Sequence, residues 1–183
     1  MRSTIAHFMA RPRRFLRRED GNVTIPTVMF IPFFLMVFAS SIELSTLSIR
    51  QSLLDRAVDD TARILKLGIE PLPDHTTLKR SICNRMAIAP NCMNDLKVEV
   101  FEIDKTTWTT ALAGTSVACV DRTAEEQEES LLQRGVSDQL MLMRVCLKVD
   151  PMMPGAGVGA QLVKDPTGAV SLVVVTAFVN EPR

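Results

Sequence analysis

Histidine is scarce in this chain and no CxxC pair occurs. The only histidines are His7 and His75, and the four cysteines, Cys83, Cys92, Cys119 and Cys146, stand far apart. A zinc site needs several His or Cys ligands at short spacings, so this pattern argues against one. His75 is the only histidine after residue 7, and no Ser, Asp and Glu arrangement resembles a triad, which leaves nucleophilic catalysis without a base. No catalytic, cofactor-binding or metal-ligating residue is assigned. Neither a cofactor nor a small-molecule substrate is expected, and the protein reads as a non-enzyme. The glycine run at 155–159 (GAGVG) lacks the Lys-Ser/Thr pair of a phosphate loop, and no helix is expected to begin there.

The most informative absence is that of charge over residues 22–42 (NVTIPTVMFIPFFLMVFASSI). At about 1.5 Å per residue, a helix of that length crosses a hydrocarbon core of about 30 Å. The net charge of zero hides an asymmetry: Arg2, Arg11, Arg13, Arg14, Arg17 and Arg18 precede the apolar stretch against only Glu19 and Asp20. The positive-inside rule then keeps the N-terminus in the cytoplasm and exports the rest. Phosphate-binding arms seldom run straight into a membrane-length segment, so lipid and not nucleic acid is the expected partner. A cleaved secretory signal is the competing reading, with Ala39 and Ser41 as small residues near a cut site, although its apolar region is usually shorter, about 7 to 15 residues.

All four cysteines lie on the exported side, where an even count points to two disulfides in a periplasm. Buried free thiols are the alternative. Cys83 and Cys92 are close enough in sequence for a local bridge and Cys119 is placed to reach Cys146, but three pairings remain open.

With 183 residues the chain has room for one modest domain beside the membrane segment. The expected parts are a basic leader (1–21), a transmembrane helix (22–42), an amphipathic helical stem (43–68) and an α+β domain (69–183). Pro26 falls near the first turn, where a missing N–H costs little, whereas Pro32 frees the Val28 carbonyl and predicts a kink. The stem carries Leu47, Leu54, Val58 and Leu65 near one face, with Asp59–Arg63 and Arg56–Asp60 as pairs opposite. Gly68, Pro71 and Pro73 end it. A short helix is marked by Leu78, Ile82 and Met86, with Thr76 or Thr77 as its cap. Strands are expected at 97–103 (KVEVFEI), 116–120 and 141–149, the last with Arg144, Cys146 and Lys148 facing away from the core. Thr123 and Glu126 fit a capping box for a helix ending at Gly135. Residues 152–168 read as a loop, and 171–180 (SLVVVTAFVN), apolar on both faces, as a central strand. The fold class is α+β: a long helix packed on a small antiparallel sheet.

The order of a basic leader, Gly21, an apolar helix, an amphipathic stem and a small disulfide-bearing sheet resembles type IV pilins. Residues 13–68 (RRFLRREDGNVTIPTVMFIPFFLMVFASSIELSTLSIRQSLLDRAVDDTARILKLG) resemble the TadE-like proteins of the tight-adherence (Tad) pilus system, minor pseudopilins of Flp pili. The closing AFVNEP at 177–182 is similar to the ending of relatives in that family. The resemblance implies a pilin-like fold and a single-pass protein of the bacterial inner membrane with a periplasmic domain. It also implies pilus assembly with other Tad proteins, and cleavage by a prepilin peptidase between Gly21 and Asn22. A signal-anchored periplasmic module unrelated to pili is the alternative function. One position departs from the family. The Glu usually found five residues after the Gly is here Pro26, and Glu43 lies about 30 Å further along the helix by its rise. A proline cannot pair with the terminal ammonium of a neighbouring subunit, so the expected role is an anchored assembly factor rather than a standard filament subunit.

Overall fold

The computed structural model describes residues 23–67, 74–86, 88–107, 117–124, 132–133 and 135–181. Its dominant element is α1 (Thr24–Lys66), a 43-residue helix that continues through Pro32 and ends with Leu67 at its C-cap. Pro26 sits in the first turn, as expected. Gly68, Pro71 and Pro73 lie outside the described residues.

Composition divides α1 into two halves. Every large apolar side chain over residues 23–38 is between 48 % and 76 % exposed. The hydroxyls of Ser40 and Ser41 donate to the carbonyls of Met36 and Val37 one turn earlier, which satisfies them within the helix. Over the second half the apolar stripe turns inward. Leu54 and Val58 are fully buried, and Leu47 and Leu65 pack partly against the same core. On the polar face Asp60 reaches Arg85 of the next helix at 3.4 Å instead of the expected Arg56, and no ion pair joins Asp59 to Arg63. An ion pair across two elements replaces two pairs within one.

Helix α2 (His75–Arg85) buries Leu78 and Ile82, with Met86 buried just beyond it. Its cap is Asp74, whose carboxylate accepts from the Thr76 N–H at 2.6 Å, and not either threonine. Asp74 is one residue earlier, where its extended backbone lets the side chain turn back over the first turn. A single turn, α3 (Cys92–Asp95), leads into β1 (Leu96–Glu102), which is followed by β2 (Leu140–Val149) and, after the short helix α4 (Gly157–Gln161), by β3 (Val170–Val179).

The three strands form an antiparallel sheet in the order β1-β2-β3. Among the described residues β2 is therefore central and β3 lies at an edge, contrary to the expectation from its apolar run. Hydrophobicity on both faces does not make β3 central: Val175 is 53 % exposed, while Leu172, Val174 and Phe178 point into the core. Register places Val98, Val145 and Val174 in one row and Val100, Met143 and Thr176 in the next. α1 and α2 cover this face.

On β1 and β2 the opposite face is also largely buried. There Arg144 donates to Glu99 at 2.5 and 2.7 Å and lies 5.9 Å from the Phe101 ring, and Lys97 reaches Glu99 at 3.9 Å. Removing one partner from so dry a pair would strand the other charge. Residues 117–120, expected as part of a strand, form none. Of the expected helix ending at Gly135, Glu126 lies outside the described residues, and near its end Leu132 instead bridges Val100 in parallel, with the Gln133 N–H donating to the Val100 carbonyl at 2.8 Å. An apolar residue can satisfy its backbone on a strand as readily as in a helix, and the open side of β1 decides which here.

Candidate functional site at the base of the stem

Ser40, Glu43, Thr46 and Arg50 recur every three or four residues and so share a face of α1. That face is taken up by the connection between β2 and β3. Glu43 is only 2 % exposed. Its two carboxylate oxygens accept the backbone N–H groups of Met152 and Met153 at 3.0 and 2.9 Å. A buried carboxylate is costly unless hydrogen-bonded, and two N–H donors aimed at it are the usual compensation. One turn earlier the Ser40 hydroxyl accepts from the Val158 N–H at 3.3 Å. Two turns later Arg50 Nη1 donates to the Asp150 carbonyl at 3.0 Å.

The GAGVG run makes this docking sterically possible. A Cβ on Gly159 would lie 2.1 Å from the Met153 carbonyl oxygen, and one on Gly157, whose φ is +54°, would lie 2.3 Å from Ser40 Oγ. The segment expected to be wholly loop thus contains α4. Its glycines serve close approach to α1 and to the preceding turn.

Arg122 forms the second tier. Nε and Nη2 donate to the two oxygens of Asp95 at 2.8 Å each, and Nη1 donates to Asp150 at 2.6 Å. The bidentate bond to Asp95 leads the effects that raise the guanidinium above its ordinary value, with Asp150 adding to it against partial burial. Beside it Lys148 pairs with Asp165, which also accepts from Thr167 and from the Ala169 N–H. Burial pushes the Asp165 carboxyl up, but Lys148 and these donors outweigh burial and hold it well below the usual carboxylate range. Arg50, Pro90, Asp95, Arg122, Lys148 and Asp150 help to enclose a cavity of about 130 Å³. Small-molecule sites typically measure roughly 300 to 1000 Å³, so this space suits a few waters rather than a substrate.

The four cysteines pair as Cys83–Cys92 and Cys119–Cys146, with Cα separations of 5.6 and 5.3 Å. The first closes the turn between α2 and α3. The second ties residues 117–120 to the outer face of β2. Gly21 and Asn22 lie outside the described residues. Among the described residues, no three His, Cys, Asp or Glu side chains gather in a metal-holding set.

Sequence reasoning placed Glu43 only by its distance along the helix and assigned nothing to Ser40, Arg50, Asp95 or Arg122. The signal available was that Glu43 and Arg50, the first two charges after the apolar stretch, stand seven residues apart and so share a face with Ser40 and Thr46. Comparison with protein-family models, characterised proteins and solved structures finds no match, so the reading of this site rests on its own residues. The arrangement braces: it fixes the sheet domain to the part of α1 that adjoins the apolar half.

Proposed function

We propose that this protein is a non-enzymatic, membrane-anchored assembly component of a pilus, a TadE-like minor pseudopilin of the Flp system with a pilin-like fold. The observation that supports this most is one continuous helix whose first half, exposed and apolar, is long enough to cross a membrane, while its second half is the spine of a disulfide-bearing sheet domain. The arginine-rich leader puts the N-terminus in the cytoplasm and the sheet domain in the periplasm, where both disulfides are stable. Other Tad proteins and the prepilin peptidase are its partners, beside the lipid of the inner membrane.

The decisive experiment is deletion of the gene in its own host, followed by electron microscopy of Flp pili and a surface-adhesion assay. Loss of both, restored by the intact gene, is expected. Unchanged piliation and adhesion would refute the assignment.

Pro26 favours a second reading, a signal-anchored periplasmic module that is not processed. Intact-mass measurement of membrane-extracted protein separates the two. A mature chain beginning at Asn22 belongs to the pseudopilin reading, and retention of residues 11–18 belongs to the alternative.

A further inference from the structure

The connection between β2 and β3 carries an unusual composition for a domain surface. Residues 151–163 (PMMPGAGVGAQLV) contain no charged side chain, and Asp150 and Lys164 bound them. Met152 is 57 % exposed and Val163 is 92 % exposed. Single exposed apolar residues need no explanation, but an uncharged stretch with two of them, held at one place on α1, does.

Its place on α1 supplies the explanation. The Val158 N–H bonds Ser40, and a Cβ on Gly157 would lie within 3.6 Å of the Met36 carbonyl. Both helix positions fall inside the charge-free stretch that ends at Ile42. Met36 is six residues before that end, which is about 9 Å along a helix. If the span fills the hydrocarbon core, the Gly157–Val158 turn beside Met36 and Ser40 reaches about 3 to 9 Å inside its outer edge, and Met152, whose N–H bonds Glu43 and whose Sδ accepts from the Thr46 hydroxyl, stands at the rim. Glu43, the first charge after the span, is withdrawn from that edge because Met152 and Met153 donate to it.

We propose that residues 152–163 form a second, non-spanning membrane contact, in which Met152, Val163 and the α4 turn enter the outer edge of the bilayer beside the helix. The partner is a lipid surface, by continuity with the apolar face of α1. Lys164, whose Nζ donates to the Pro154 carbonyl at 2.5 Å, stays at headgroup level. The segment thereby sets the depth and tilt of the sheet domain over the membrane. This inference rests on the spanning reading of α1, and its test separates the two.

The full chain with Trp108→Phe is reconstituted into phosphatidylcholine vesicles, and single tryptophans are introduced as Phe34→Trp, Val163→Trp, Met152→Trp and Val136→Trp. Val136 is 65 % exposed near the far end of the stem, and serves as the aqueous reference. Lipids brominated high on the acyl chain should quench Val163→Trp and Met152→Trp strongly, with blue-shifted emission. Lipids brominated deep in the chain should quench Phe34→Trp more than either. Val136→Trp should be unaffected. If Val163→Trp and Met152→Trp behave like Val136→Trp while Phe34→Trp is quenched, the span stands and the second contact is overturned. If Phe34→Trp is also unquenched, both readings fall.

Discussion

The two halves of α1 are the same kind of backbone put to opposite uses. Residues 23–38 leave every large apolar side chain at least 48 % exposed, whereas Leu54 and Val58 are completely buried. Both halves are rich in Leu, Ile, Val or Phe. What differs is periodicity: the first half is apolar all round, and the second confines its apolar residues to one stripe with charges behind it. A helix apolar on all sides suits a solvent that is itself apolar, while a striped helix suits a protein core on one side and water on the other. Glu43 stands at the change, its charge already absorbed by the loop that docks there.

The largest effect that would break or sharpen this contrast is a paired truncation. Leu54→Ala should lower stability by about 2 to 5 kcal/mol, because it opens a cavity in a closed core. Phe34→Ala should leave the unfolding of the sheet domain nearly unchanged. Thermal and chemical denaturation of both variants in the same detergent measures the difference. Equal losses would mean that the apolar half also packs against the domain.

A smaller loss is expected at the boundary. Glu43→Ala leaves two N–H groups without an acceptor, worth about 1 to 3 kcal/mol where water cannot replace it. Hydrogen exchange at Met152 and Met153 should rise well before that of β2, because the loop is released while the sheet remains. Unchanged exchange at these two amides would show that Glu43 does not hold the loop.

The smallest effect is a pH dependence confined to the base of the stem. The Asp165 carboxyl is held low in the folded protein, so its contribution to stability is complete above its unfolded value of about 3.9 and is lost as pH falls toward the folded value. Stability should therefore decline on acidification below pH about 4, and Asp165→Asn should remove that portion of the decline. Urea unfolding between neutral and acid pH, with and without the substitution, reads it.

Much of the fold was legible in the residues. The full length of α1 followed from an apolar run that changes into a 3.6-residue stripe without a turn signal between them. β1 and β2 followed from alternation, because a strand with one face on the core repeats every second residue. The helix carrying Leu78 and Ile82 followed for the same reason, although its cap did not. β3 was found as a strand but misplaced in the sheet. Its edge position depends on whether another strand pairs beyond it, and that information lies in other segments. α4 was missed because a five-residue turn that begins on one glycine and contains another has no periodicity to read.

The candidate site was the least legible part. The bonds that define it join positions 109 and 110 residues apart, Glu43 to Met152 and Met153, and 27 apart, Arg122 to Asp95. No local pattern encodes such a distance. A buried carboxylate and an exposed one are the same letter in a sequence.

By itself the sequence determined where α1 is apolar all round and where it is striped, which segments alternate as strands, and that the cysteines were even in number and lay beyond the apolar stretch. Those properties are local, set by which side chains a helix or strand brings to one face. Only the tertiary structure decided that β2 is central, that the cysteines pair 83 with 92 and 119 with 146, and that Glu43 is spent on two backbone N–H groups across the fold. Each of these is a choice among partners distant in the chain. Packing the connection of β2 and β3 against α1 brings such partners within hydrogen-bond reach, and composition alone cannot specify which of them meet.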